Sequence, residues 1–167
     1  MSAFPDARWG SERNPLRRPL VAFASTRPGS WLIRTLTPLD RWLLVHSKGR
    51  YTVLGPVGAP VLLLTTTGSR SGQPRTTPLL HLREGDRLYV IGSNFGQGAH
   101  PAWSGNLLAH PAATVTIGGR DVPAVATPLE GGERERVWAM FVAFASTYEA
   151  YRDRTSRELR IFALDPA

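Results

Sequence analysis

Residues 65–75 combine hydroxyl groups, two glycines and two arginines in one short stretch, TTTGSRSGQPR. Gly68 and Gly72 let the backbone approach a ligand closely, and the N–H groups of such a loop can form an anion-binding nest. Arg70 and Arg75 each carry a planar guanidinium that matches the oxygens of a phosphate or a carboxylate. The pattern is not a P-loop, because the Lys–Ser/Thr pair is missing. Two interpretations stay open: an anion-binding loop and a solvated hairpin turn.

The segment HPAWSGNL at residues 100–107 has the pattern of a short helix. Trp103 and Asn106 lie three residues apart, so they share a face if the segment is helical. The side-chain amide of Asn106 could hold a loop or a ligand. His100 precedes Pro101 without a recognisable acid–base partner, and we interpret it as a cap at the helix start rather than a catalytic base. The four histidines show no HxH or HExxH spacing, so no metal site is predicted.

A pair of tyrosines forms the third motif. Tyr148 and Tyr151 stand three residues apart and would project together from one helical turn. Each side chain offers a flat apolar face and a hydroxyl group. The pair fits two roles, either as a cover over the main domain or as an aromatic wall above a ring-shaped substrate or cofactor.

Composition limits what these motifs can do. A chain of 167 residues suits one domain with a sizeable core, and the absence of cysteine removes disulfides, thiolate nucleophiles and thiolate metal sites. The net charge of +7 is concentrated near the N-terminus: residues 1–50 carry nine Lys/Arg and three Asp/Glu, whereas the remaining 117 residues carry eleven and ten. This asymmetry indicates an anionic partner, such as a membrane surface, a nucleic acid or a phosphorylated cofactor.

The N-terminal part divides into two segments. Residues 1–29 are rich in Arg, Pro, Ser and Gly and lack periodicity, which predicts a flexible basic arm. Apolar side chains recur at helical spacing over residues 30–47, and Pro38 with Thr37 before it predicts that a second helix begins there. The apolar stripe either packs on the main domain or makes peripheral contact with a membrane surface. No apolar run approaches the roughly 20 residues that a membrane span needs.

The rest of the chain alternates short apolar runs with turn residues, as hairpins do. The expected strands cover residues 61–67, 76–83, 87–93, 113–117, 120–129 and 160–164, and the expected helices cover residues 100–108 and 132–145. Pro123 predicts an edge or a bulge in its strand. Because hairpins dominate and no βαβ alternation occurs, the sequence predicts an α+β fold with a small antiparallel β-barrel and peripheral helices. The GxSxG elbow of hydrolases and the GxGxxG turn of dinucleotide-binding folds are missing.

Taken together, the motifs resemble the deazaflavin-dependent nitroreductase and quinone reductase family of actinobacteria. The signature of that family reads as an apolar run, TTxGRKSGxPRxxPL, a hairpin, a Ser-containing glycine-rich segment, HPxWxxNLxxxP and a VTV strand. Its equivalents here are residues 62–67, 68–75, 78–79, 93–98, 100–107, 111 and 114–116, so the match runs from about residue 48 to residue 166. The resemblance implies that residues 30–167 form one split β-barrel domain. It also implies an enzyme that transfers a hydride from reduced coenzyme F420 to a quinone-like or nitroaromatic acceptor.

The resemblance further implies which residues form the site. The residues expected to meet the phosphate and the polyglutamate tail of F420 are Arg70, Ser71, Gly72 and Arg75, with Lys48 and Arg50 adding positive charge nearby. The residues expected along the two edges of the deazaflavin ring are Pro78 and Leu79 on one side and Ser93, Asn94 and Gly96 on the other. Trp103 and Asn106 would support the segment that contains Ser93. The candidates for holding an acceptor oxygen are Ser93, Tyr148 and Tyr151.

Two departures from the family pattern concern the acceptor. Leu80 stands where some nitro-reducing members have tyrosine, and Asn94-Phe95-Gly96 replaces a more usual Lys-Gly-Gly-like segment. Two other functions therefore stay open: an FMN-dependent oxidoreductase on the same class of barrel, and a non-catalytic carrier of F420 or of a lipid-like ligand. No nucleic-acid partner is predicted, because the aromatic residues form no recognisable stacking face. The expected location is cytoplasmic, with membrane association as an option, and the oligomeric state is left open.

Overall fold

The computed structural model describes residues 3–6, 15, 19, 22–23, 26–48, 50–51 and 59–167. Its helices and strands follow one another in the order α1 Arg27–His46, β1 Val61–Thr67, β2 Pro74–Glu84, β3 Arg87–Ile91, a 3₁₀ turn Asn94–Gly96, α2 Ala102–Ala109, β4 Ala112–Ile117, β5 Arg120–Pro128, α3 Gly131–Phe144, α4 Thr147–Asp153 and β6 Ile161–Pro166.

Within these residues, six strands close into a barrel in the order β1-β2-β3-β6-β5-β4, and all neighbours are antiparallel. Alternate residues point inward, because successive side chains of a strand face opposite sides of a sheet. In β5 the inward positions are Val122, Ala124 and Ala126, and exposed residues lie between them. The barrel interior is filled with side chains, and the predicted α+β barrel with peripheral helices is confirmed.

The long strand β2 changes partner halfway along its length. Residues 74–80 pair with β1, whereas residues 81–84 pair with β3. The last pair between β3 and β6 is Ile91 with Ile161, and the chain then leaves the ladder. Among the described strands, the first half of β2 is therefore bonded on one side only, which is the split in this barrel.

A second apolar cluster lies outside the barrel. It joins Tyr89, Ile161 and neighbouring residues of β3 and β6 to Val137, Phe141 and neighbouring residues of α3 and α4. Strands β3 and β6 are thus covered on both faces, which explains why their sequences are almost continuously apolar rather than alternating.

Helix α1 differs from the sequence prediction. It begins at Arg27, where the hydroxyl of Thr26 accepts a hydrogen bond from the backbone N–H of Gly29 at 3.0 Å, and it continues through Pro38 without a break. The predicted second helix that begins near Thr37 is wrong. An internal proline removes one intrahelical hydrogen bond and bends a helix, but it need not end it when the turns on both sides remain bonded.

Residues 3–6 also differ from the predicted flexible arm. Phe4 is 1% exposed and belongs to the barrel core, and the guanidinium of Arg83 donates to the carbonyl oxygen of Phe4 at 2.9 Å and to that of Pro5 at 3.3 Å. A single buried aromatic side chain thus anchors this segment to the barrel. Most of the remaining arm lies outside the described residues.

Pro123 lies at the end of one ladder rather than at a free edge. It is paired with Thr114 of β4, and the last residue of β5 in register with β6 is its neighbour Ala124. The carbonyl oxygen of Pro123 accepts a hydrogen bond from the N–H of Ala167 at 3.0 Å. The proline therefore stands where β6 ends, a position at which a missing N–H costs little.

Candidate functional site

The hairpin between β1 and β2, residues 68–75, is called the arginine loop below. The N–H of Gly68 donates to the carbonyl of Gln73 at 2.9 Å, and the N–H of Gly72 donates to the carbonyl of Gly68 at 2.8 Å. A Cβ on Gly68 would lie 2.6 Å from the hydroxyl oxygen of Ser71, and Gly72 has a φ of 66°. Glycine thus suits the left-handed position at residue 72, and a side chain at residue 68 would force Ser71 to move. The turn leaves Arg70 and Arg75 exposed at its surface.

The side-chain amide of Asn106 stabilises the arginine loop through two hydrogen bonds. Its Nδ2 donates to the hydroxyl oxygen of Thr66 at 3.0 Å, and its Oδ1 accepts the N–H of Ser69 at 3.0 Å. Helix α2 brings Asn106 there because Trp103 and Leu107 of the same helix pack into the barrel core. The amide of Asn106 reaches the end of β1 rather than the segment around Ser93. The predicted support of that segment by Trp103 stays a prediction.

The segment that follows β3, residues 92–97, is called the glycine loop. Strands β1 and β3 run in the same direction, so both loops lie at the same end of the barrel. Three consecutive residues, Asn94, Phe95 and Gly96, have φ values of 45°, 53° and 74°. A Cβ on Gly96 would lie 2.7 Å from the carbonyl oxygen of Tyr151, so the loop packs against α4 and only glycine fits there.

The two departures from the family pattern lie on different sides of this region. Phe95 turns inward and its ring meets that of Tyr151 edge-on at a centroid distance of 5.9 Å. Leu80 is half-buried on β2, at the residue where the strand changes partner. The bulk of Phe95 is therefore used in packing of the second apolar cluster.

Arg157 fixes the glycine loop, and sequence reasoning did not identify it. Its Nε donates to the carbonyl of Gln97 at 2.9 Å, its Nη1 to that of Gly92 at 3.0 Å and its Nη2 to that of Ser93 at 2.8 Å. Burial lowers the pKa of the guanidinium, and the charge of Arg160 lowers it further. The sequence carries no signal for this role, because the partners are backbone carbonyls about 60 residues away.

His100 also contacts Arg157. Its Nδ1 lies 3.3 Å from Nη1 of Arg157, and since a guanidinium only donates, Nδ1 accepts and the ring carries its proton on Nε2. Burial lowers the pKa of His100, and the charges of Arg160 and Arg157 add to this effect. The predicted capping role is wrong, because Pro101 precedes α2 and no side chain caps the helix.

Tyr148 and Tyr151 share one turn of α4, as the spacing predicts, but both are largely buried, at 5% and 7% exposure. Tyr148 meets Phe141 edge-on at 5.1 Å and Tyr151 at 6.2 Å. Burial raises the pKa of the Tyr148 phenol. The observed packing is that of a cover over the barrel, and the role of the pair toward an acceptor stays a prediction.

Pro78 and Leu79 lie in the first half of β2 and face opposite sides of the sheet. Leu79 packs against the barrel core, whereas Pro78 is half-buried on the other face. Pro78 is therefore the one that faces outward, and the role of the two residues beside a ring stays a prediction. Ser93, at the start of the glycine loop, is half-buried.

Arg50 lies at the opposite end of the barrel from the arginine loop. Its Nε is 3.0 Å from the position of a Cβ on Gly119, in the turn between β4 and β5. That turn adjoins the start of β1, whereas the arginine loop follows its end, seven strand residues or about 20 Å away. Within one chain Arg50 therefore lies away from the arginine loop, and its role toward the cofactor stays a prediction. Lys48 is exposed two residues earlier.

Comparisons with known proteins agree with this geometry. A family model described as F420H(2)-dependent quinone reductase matches residues 40–166. The chain is 34% identical over 121 residues to an F420H(2)-dependent quinone reductase of Mycobacterium tuberculosis (strain ATCC 25618 / H37Rv), covering 71% of this chain and 81% of the relative.

Two solved structures share the fold. An F420-H2 dependent reductase is 34% identical with a TM-score of 0.58, over 64% of this chain and 94% of that one. A chain described as a domain-swapped dimer is 30% identical with a TM-score of 0.60, over 83% of this chain and 99% of that one. The predicted resemblance and the predicted enzyme class, an F420H2-dependent reductase, are confirmed. The chain belongs to the family of F420H(2)-dependent quinone reductases.

Proposed function

We propose that this protein binds reduced coenzyme F420 and catalyses hydride transfer to a quinone-like or nitroaromatic acceptor. The observation that carries the proposal is the arginine loop: a rigid glycine turn that presents two exposed guanidinium groups. Among the described residues, no carboxylate pairs with Arg70 or Arg75. Two free cations beside the hydroxyl of Ser71 fit a phosphate and an oligoanionic tail.

The split in the barrel beside β2 supports a binding position for the deazaflavin ring. Among the described strands, none pairs with the first half of β2 on the side toward the glycine loop, which leaves a backbone edge open there. Backbone N–H and C=O groups along such an edge can bond the heteroatoms of a flat ring, much as they would bond another strand. The proposal assigns Pro78 to one side of the ring and Ser93, Asn94 and Gly96 to the other.

The bound cofactor supplies the hydride, from C5 of the reduced deazaflavin ring. The residues of this chain bind and orient. The arginine loop would fix the anionic tail and so set the depth of the ring, and the glycine loop would set the distance of the acceptor from it. Of the three candidates for an acceptor oxygen, Ser93 is the most accessible, because Tyr148 and Tyr151 are covered by the second apolar cluster.

A quinone-like acceptor is favoured by the outer face of α1. Trp31, Leu39 and Trp42 are each 58% exposed and recur at helical spacing, whereas Leu44 on the opposite side of the helix is buried. No helix in the described part of the chain is long and apolar enough to cross a bilayer. The proposal is therefore peripheral contact of residues 30–47 with an anionic membrane, where apolar quinones reside, supported by the +6 charge of residues 1–50.

Membrane contact is tested by flotation with vesicles of phosphatidylglycerol and of phosphatidylcholine. The wild type should float with the anionic vesicles, and the double variant Trp31→Ser with Trp42→Ser should not. Equal behaviour of the two proteins would reject the contact. A change in sedimentation coefficient in the double variant alone would assign the apolar face to a second copy of the chain instead.

The catalytic proposal is tested by offering the purified protein F420 and FMN in parallel fluorescence titrations. A turnover assay with reduced F420 and either a naphthoquinone or a nitroaromatic acceptor follows. Saturable binding of F420 with oxidation by either acceptor is expected. Binding of FMN alone would place the protein among flavin enzymes, and tight F420 binding without turnover would favour a carrier.

A further inference from the structure

The guanidinium of Arg157 is directed into the glycine loop, and each of its three nitrogens donates to a carbonyl oxygen of that loop. Arginine can make all three bonds at once because its planar guanidinium carries donors in three directions, which no other side chain offers. In the described part of the chain, Arg157 has no carboxylate partner, so its bonds to the loop are its principal contacts.

The glycine loop needs such a clamp. Asn94 and Phe95 adopt left-handed backbone conformations, which are strained for residues other than glycine. Inside the loop, the N–H of Gly96 donates to the carbonyl of Ser93 at 2.9 Å, and the N–H of Gln97 donates to that of Asn94 at 3.0 Å. These short-range bonds close one turn, whereas Arg157 ties both ends of the loop together, at Gly92 and Gln97.

We propose that Arg157 is a positioning residue for hydride transfer: it fixes the glycine loop so that Ser93 and Asn94 are held toward the reacting ring. The inference rests on the proposed function for its kinetic consequence. The clamp itself is a property of the ligand-free protein.

The charge of Arg157 adds a second consequence. It stands beside Arg160, whose Nη1 donates to the hydroxyl of Ser104 at 3.3 Å, and both charges face His100. Two guanidinium groups, those of Arg157 and Arg160, therefore lie behind the glycine loop, which would hold the acceptor. Fixed positive charge at this position favours an acceptor that becomes negative as it receives a hydride.

The first test uses the ligand-free protein and the variants Arg157→Met and Arg157→Lys, with Arg152→Met as the matched control. Arg152 is exposed on α4 and stacks on Trp138 at 4.9 Å. In Arg157→Met, hydrogen exchange of amides 92–97 should rise roughly tenfold or more, and the pKa of His100, followed by NMR, should rise because one facing charge is gone while Arg160 remains. Unchanged exchange and an unchanged His100 signal would overturn the clamp.

The second test measures kinetics with F420H2 and a naphthoquinone. Arg157→Met should lower kcat roughly 10- to 100-fold, as expected for a misplaced reacting group, while the Kd of F420 changes less than about threefold because the arginine loop is intact. Arg157→Lys should recover part of kcat, and added guanidinium ion should recover part in Arg157→Met. A parallel loss of kcat, F420 affinity and Tm would show a merely structural role and overturn the inference. If the wild type neither binds nor oxidises reduced F420, the proposed function fails, and the exchange and NMR data still decide on the clamp.

Discussion

The arginine loop and the glycine loop, which lie at the same end of the barrel, are built in opposite ways. The arginine loop is stabilised by a buried neutral amide, Asn106, and it exposes its cations, Arg70 and Arg75. The glycine loop is stabilised by a partly buried cation, Arg157, and it presents backbone and the small polar side chains of Ser93 and Asn94. Both loops contain glycines in left-handed conformations.

The difference between the loops matches two separate requirements of the proposed reaction: holding the anionic tail of the cofactor and positioning the acceptor. Exposed guanidinium groups attract and hold an anionic tail, and their position tolerates small shifts because charge attraction acts over several ångströms. A hydride acceptor must be positioned to within a fraction of an ångström, so the loop that meets it needs rigidity more than charge. The contrast between the loops can be tested by substitutions at matching positions.

The largest effect is expected for alanine at Gly96 compared with alanine at Gly72. Both residues have positive φ, but a Cβ on Gly96 would meet backbone atoms of Tyr151, whereas a Cβ on Gly72 has nothing within 4 Å. We expect Gly96→Ala to lower the free energy of unfolding by roughly 2–5 kcal/mol and Gly72→Ala by about 1–2 kcal/mol. Urea denaturation measures both.

Equal losses in the two glycine variants would contradict the packed state of the glycine loop. A loss at Gly72 larger than that at Gly96 would reverse the comparison, since it would make the arginine loop the more constrained of the two.

The next effect concerns Asn106. Asn106→Ala removes both bonds that hold the arginine loop and leaves the hydroxyl of Thr66 without this donor. We expect the free energy of unfolding to fall by roughly 2–4 kcal/mol and F420 affinity to fall with it, while hydrogen exchange in residues 92–97 stays as in the wild type. Faster exchange in the glycine loop would show that the two loops are not independent.

The smallest effect is a pH dependence carried by His100. Its folded pKa lies below the ordinary value near 6.5, because of burial first and the charges of Arg160 and Arg157 second. The unfolded chain therefore takes up a proton more readily, so this contribution to stability is complete above about pH 6.5 and is lost as the pH falls through the folded pKa.

His100→Gln provides the measurement for that contribution. The wild type should lose stability between pH 7.5 and pH 5.5 relative to the variant, as followed by urea denaturation at both values. A wild-type protein that gains stability on acidification relative to His100→Gln would contradict the contact with Arg157.

Local patterns predicted much of the fold because the strands carry their own signals. The apolar, β-branched run Val61–Thr67 has the same bounds in the structure as in the prediction. Strand β3 is shorter than predicted: it ends at Ile91, and the chain continues into the glycine loop. A local rule predicts a helix start at Pro38, but the helix is continuous on both sides because its other hydrogen bonds outweigh the one that is lost.

Long-range contacts account for what the sequence did not predict. Phe4 lies in a segment without periodicity, so the sequence does not indicate that its side chain packs inside the barrel. Arg157 donates to backbone carbonyl groups, and because every residue has one, the sequence does not indicate these partners. The resemblance predicts that Arg50 adds charge near Arg70, whereas the direction of β1 separates the two within one chain.

The most direct test of the central claim is a fluorescence titration of F420 into the wild type, Arg70→Ala, Arg75→Ala and the control Arg120→Ala. Arg120 is an exposed arginine at the start of β5, at the other end of the barrel. Saturable binding by the wild type is predicted, with a loss of about 1.5–3 kcal/mol, or roughly 10- to 150-fold in Kd, in each arginine-loop variant and little change in Arg120→Ala. Equal affinity in all four proteins would contradict the assignment of the arginine loop as the F420 cradle.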